Sequence, residues 1–78
     1  MVFRINDTEV VLEGKEGLDV AVAKDYLTYA EEHKLNKDAK IGKLTVAFDP
    51  NSKEADITID YVQDKPKIER IRRITGLS

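Results

Sequence analysis

Seventy-eight residues, 41 % of them hydrophobic and 36 % charged, predict one soluble, folded domain and leave no room for a second beside it. The chain has no cysteine, which excludes disulfide scaffolds, thiolate zinc sites, iron–sulfur clusters and thiol nucleophiles. The net charge of −2 hides an asymmetry: residues 65–78 carry five basic groups against Glu69, a net +4, whereas residues 1–64 carry eight basic and fourteen acidic groups, a net −6.

An acidic body with a basic end segment marks either an anionic partner or a tail held against its own body. Residues 1–5 lack the long apolar run of a secretory signal, and no stretch approaches the ~20 apolar residues of a membrane span. The expected location is cytoplasmic.

In chain order, Val2-Phe3-Arg4-Ile5 and Val10-Val11-Leu12 are β-prone runs separated by residues 6–9. A turn centred on Asp7-Thr8 pairs Ile5 with Val10 and Phe3 with Leu12, which puts all four on one face. Gly14 and Gly17 then break the pattern. From residue 18 to about residue 35 the spacing turns helical. Leu18, Val22, Tyr26, Tyr29 and Ala30 share one side, flanked by Ala23 and Leu27. Lys24, Asp25, Thr28, Glu31, Glu32 and Lys34 take the other. Asp19 in the first turn and His33 and Lys34 in the last suit the helix dipole, and Asn36 offers a left-handed cap.

A second hairpin follows the charged loop at residues 36–42. Leu44, Val46 and Phe48 alternate with polar or small residues, as do Ala55, Ile57, Ile59 and Tyr61. Asp49-Pro50-Asn51-Ser52 has turn chemistry, and pairing Phe48 with Ala55 sets Val46 against Ile57 and Leu44 against Ile59. The opposite face of this hairpin meets water. Finally, Asp64 caps a predicted helix starting near Lys65-Pro66, with Ile68, Ile71, Ile74 and Leu77 recurring every third residue and Gly76 ending it. The whole reads as an α+β domain of order β-β-α-β-β-α, a four-stranded sheet with two helices on one face.

Candidate chemistry is sparse. His33 is the lone histidine and, without a second nitrogen ligand, reads as a boundary residue covering the helix end. Residues 49–60 have the outline of a calcium loop, but Lys53 stands at the fifth position, Glu54 replaces the glycine the sharp turn needs, and Asp60 ends it in place of Glu. They read as a hairpin loop. Asp56, Asp60 and Asp64 form an acidic row that reads as a solvated outer face. Neither nucleotide-binding glycine pattern is present, and Gly14-Lys15-Glu16-Gly17 reads as a flexible connection to the helix. The strongest binding candidate is the basic stretch at residues 65–73. On a helix, Arg70 and Arg73 share a side with Lys67 and Arg72 near its edges, so these four are the expected partner-binding residues.

Glu69-Arg70-Ile71-Arg72-Arg73-Ile74-Thr75-Gly76 resembles a short string in the anaerobic ribonucleoside-triphosphate reductase family and its small relatives. There the string follows a cysteine-rich segment, and an aromatic residue stands where this chain has Leu77. Neither the cysteine pairs nor the glycyl-radical motif is matched, so no catalytic or metal residue carries over. The resemblance implies an accessory or regulatory role in such a system.

These readings converge on a non-catalytic interaction module with no cofactor. A protein partner is expected first, because the acidic body would repel nucleic acid. The alternative is nucleic-acid or anionic-ligand binding through the basic C-terminal helix.

Overall fold

A computed structural model of the chain describes residues 1–35, 37–51, 53–62 and 68–74. Its elements are β1 (Val2–Ile5), β2 (Thr8–Glu13), α1 (Val20–His33), β3 (Ile41–Phe48), β4 (Glu54–Tyr61) and β5 (Ile68–Ile74). The five strands form one sheet in sequence order. The pairs β1–β2, β3–β4 and β4–β5 are antiparallel, whereas β2 and β3 are parallel neighbours joined through α1. A parallel pair needs such a crossover, and an amphipathic helix supplies it while burying its apolar side on the sheet.

The helix is the one the 3.6-residue spacing predicts, trimmed at both ends. Asp19 is its N-cap rather than a first-turn residue: the extended backbone there lets Oδ1 accept from the N–H groups of Ala21 at 3.1 Å and Val22 at 3.3 Å. Ala23, Tyr26, Leu27 and Ala30 are buried, with Leu18, Val22 and Tyr29 packed around them. Lys34, expected on the solvated side, is buried instead. Its Nζ donates to the Ala39 carbonyl at 2.6 Å and pairs with Glu31 at 2.9 Å, so the buried ammonium has both an acceptor and a counter-charge. The expected cap at Asn36 lies outside the described residues.

The second hairpin has the expected register, Leu44 to Ile59, Val46 to Ile57 and Phe48 to Ala55. All but Phe48 are fully buried, and Phe48 meets Tyr26 edge-on at 5.4 Å between ring centroids. Its loop is held by Asp49, whose Oδ1 accepts from the Asn51 N–H at 2.8 Å. A bulge between Ile41 and Lys43 shifts the register at Gly42, where a Cβ would lie 2.8 Å from Val62 Cγ2.

The first hairpin is displaced by two residues. Phe3 pairs with Val10 and Ile5 with Thr8, because the turn is Asn6-Asp7, both with positive φ. That is the signature of a two-residue hairpin turn matched to strand twist, and Asn and Asp tolerate it best after glycine. A slip of two keeps every side chain on its expected face. Thr8 is buried, and its hydroxyl donates to the Ile41 carbonyl at 2.9 Å, which fastens the start of β2 to β3.

The four-stranded sheet with two helices is wrong at the C-terminus: residues 68–74 form a fifth strand, and α1 is the one helix among the described residues. An isoleucine at every third position matches neither the helical period nor the strand period, so pattern leaves this segment undecided. β-branched residues favour strands, and the exposed edge of β4 carries N–H and C=O groups that need partners. Pairing β5 there sets Ile71 against Ile57, Arg72 against Asp56 and Arg70 against Thr58. Ile71 then packs against the core. The expected cap and first turn at Asp64, Lys65, Pro66 and Lys67, and the expected end at Gly76 and Leu77, lie outside the described residues.

Candidate interaction surface

Alternation along β5 divides its long side chains between two faces. Residues directly opposite in an antiparallel pair share a face, so Glu69, Ile71 and Arg73 join the buried row of β4 and look toward α1, while Ile68, Arg70 and Arg72 look outward. Arg70 and Arg73, neighbours on the expected helix, are therefore on opposite sides of the sheet. Among the described residues, no element covers the outer face.

On the α1 side both charged residues are bound inward. Arg73 donates to Asp25 at 2.9 Å, and its guanidinium carbon lies 4.9 Å from the centroid of the Tyr26 ring and 4.6 Å from that of Tyr29. Tyr29 stacks in turn on His33 at 4.0 Å, and His33 Nδ1–H donates to the Tyr29 carbonyl at 2.9 Å. The lone histidine thus covers the helix end, as its position in the sequence suggests. Glu69 accepts the Leu35 N–H on both carboxylate oxygens at 3.0 Å and the Tyr61 hydroxyl on one of them. Its carboxylate ties the residue after the C-cap of α1 to the end of β4.

On the outer face the two arginines differ. Arg72 bridges two carboxylates of β4, Nε to Asp56 at 2.9 Å and Nη1 to Glu54 at 3.1 Å. The Asp56 hydrogen bond and charge, followed by the Glu54 charge, raise its pKa above the ordinary arginine value. Asp56 is thus neutralised by a neighbouring strand, a partner group that sequence reasoning did not see. Arg70 stands opposite the neutral Thr58, is exposed, and makes no ion pair among the described residues. It edges an open concavity of about 460 Å³ with Glu13 and Arg72, floored by Thr45, Ala47 and Thr58. Small side chains on the adjacent strands β3 and β4 leave that dip.

Of the four residues singled out from sequence, the structure therefore directs Arg73 inward, engages Arg72 within the sheet and leaves Arg70 available; Lys67 lies outside the described residues. The basic helix that was to carry them is a strand. Among the described residues there is no group of three or more His, Cys, Asp or Glu side chains placed to hold a metal ion, and no helix is long and apolar enough to cross a membrane. Compared with known proteins, the chain matches no family model, no curated protein and no solved structure.

Proposed function

We propose that this chain is a small, non-catalytic interaction module that binds a protein partner, and that β5 is the element it presents. The observation that carries this reading is the state of β5: a seven-residue strand at the margin of the sheet, paired on one side only among the described residues. Every second residue of such a strand turns its N–H and C=O away from its neighbour, which makes it a template for another chain. The opposite margin, β1, has only four residues.

Three features favour a protein over a nucleic acid. Arg72 and Arg73 are engaged with Glu54, Asp56 and Asp25 of the same chain, so the basic stretch offers little to a row of phosphates. The rest of the chain carries net negative charge. The outer face is floored by Thr45, Ala47 and Thr58, with no aromatic side chain on which a base would stack. Non-catalytic character fits the chemistry present: the histidine ring is committed to its own helix end, and Asp56 to Arg72. The likeness of residues 69–76 to the anaerobic reductase family makes such a system the first place to look for the partner.

The test is capture from native lysate with and without nuclease, followed by binding measurements on the purified, identified protein. The expected result is one protein recovered in both conditions, binding in a concentration-dependent manner and more weakly to Arg70→Glu. Recovery of RNA or DNA, with the protein lost after nuclease, would contradict the reading.

A further inference from the structure

We propose that the partner docks on β5 as an extended, acidic–apolar segment that adds antiparallel to the sheet as a sixth strand; this rests on the reading of the chain as a protein-binding module. The choice of occupant follows from what lines the edge. Ile68 is 62 % exposed on the outer face, Arg70 is exposed and without an ion pair among the described residues, and Ile71 is only partly buried on the α1 face. An incoming strand therefore meets an apolar and a cationic position, Ile68 and Arg70, on the outer face and an apolar one, Ile71, on the α1 face. A complementary chain running antiparallel, the slightly more stable direction, sets an acidic residue opposite Arg70 and apolar residues opposite Ile71 and Ile68, while an acid opposite Arg72 meets a guanidinium that already holds Asp56 and Glu54 and adds less.

Neither long side chain of the α1 face obstructs this approach. Arg73 is drawn back onto Asp25, Tyr26 and Tyr29, and Glu69 onto Leu35 and Tyr61, so the backbone edge between them is clear of both. Arg70 is the side chain left to receive a carboxylate, and its five donors match one bidentately.

A second copy of this chain is the obvious rival, and the charges argue against it. With like faces aligned, symmetric antiparallel pairing centred on Ile71 sets Arg70 of each copy against Arg72 of the other. Centring on Arg70 or on Arg72 sets that arginine against itself. Like charges directly opposite destabilise a sheet pair, so the basic edge disfavours self-association while attracting an acidic strand.

The probe is the end-blocked peptide Thr-Thr-Glu-Val-Glu-Thr-Val, with its Lys-for-Glu counterpart as control, titrated into the full-length chain and followed by backbone amide NMR. Chemical-shift changes are expected to concentrate on β5. The Glu peptide should bind about tenfold or more tighter than the Lys peptide, the order set by one charge-assisted contact. Arg70→Glu should reverse that preference without moving the melting temperature, because Arg70 makes no ion pair among the described residues. N-methylating alternate peptide residues in two complementary sets should abolish binding for one set and spare the other, since only every second N–H can face β5. Shifts confined to other surfaces, equal binding of both peptides, or tolerance of both N-methylated sets would overturn the proposal. Concentration-dependent dimerisation through β5 would overturn it in favour of the second copy. If a lysate partner is found while β5 amides ignore the peptide, only the strand-addition proposal falls; if no protein partner exists, the interaction reading falls with it.

Discussion

Arg70 and Arg73 give the sharpest comparison the chain offers, because a helix would place them side by side and a strand places them on opposite faces. In the structure Arg73 lies over Tyr26 and Tyr29 at 4.9 and 4.6 Å and pairs with Asp25, itself largely exposed. Exposed cation–π contacts contribute about 0.5–1 kcal/mol each and an exposed ion pair about 0.2–1 kcal/mol. Arg73→Ala should therefore cost about 2 kcal/mol, and part of that is the side-chain stem lost from the two rings. For a domain of this size that corresponds to a fall of roughly 8–16 °C in melting temperature. Arg70→Ala removes no described ion pair and should stay within about 0.5 kcal/mol of the parent. The assay is urea denaturation of both variants beside the parent, followed by far-UV circular dichroism, with thermal melts as a second reading. A double-mutant cycle of Arg73→Ala with Tyr29→Leu should show coupling, since the two side chains touch. Equal losses for the two arginine variants, or a larger loss for Arg70→Ala, would refute the placement of β5 against α1.

Ile57 is fully buried on β4 between Val46 and Ile71, so Ile57→Ala should lose about 3–4 kcal/mol by denaturant titration, a large share of the total for 78 residues; a variant melting like the parent would mean that the hairpin register is wrong. Gly14 has φ +86° and would place a Cβ 2.2 Å from the Phe48 carbonyl oxygen, so Gly14→Ala should destabilise by more than about 1 kcal/mol in the same titration. Asp19→Ala removes the side-chain acceptor for two N–H groups at the start of α1 and should cost about 1 kcal/mol, visible also as faster amide exchange at Ala21 and Val22.

Where one periodicity dominates, the sequence reads directly. Leu44, Val46 and Phe48 facing Ala55, Ile57 and Ile59 define a hairpin whose pairing follows from alternation and from Asp49-Pro50, and the spacing of Val22, Tyr26 and Ala30 defines the helix. The first hairpin slipped by two because Asn6 and Asp7 adopt positive φ, a conformation their types permit but do not demand. Faces survived the slip, pairs did not. Ile41 is fully buried too, but the alternation that starts at Leu44 does not reach it, because the bulge between Ile41 and Lys43 shifts the register.

β5 was illegible for a different reason. Its threefold isoleucine spacing fits two elements equally poorly, and the groups that decide between them lie far away in sequence: Asp25 is 48 residues from Arg73, and Asp56 is 16 from Arg72. The charge asymmetry did name both outcomes, an anionic partner or a tail held against its own body. Arg72 and Arg73 take the second course, and Arg70 makes no ion pair among the described residues.

The interaction proposal depends on residues 68–74 being a strand on the edge of β4, and two-dimensional NOE spectroscopy of the labelled chain tests this most directly. A strand gives strong sequential Hα–HN contacts through residues 68–74, amide-exchange protection on every second residue, and cross-strand contacts linking Ile57 with Ile71 and Asp56 with Arg72. Sequential HN–HN and Hα to third-residue HN contacts across 68–74, with no contact to β4, would show a helix and contradict it.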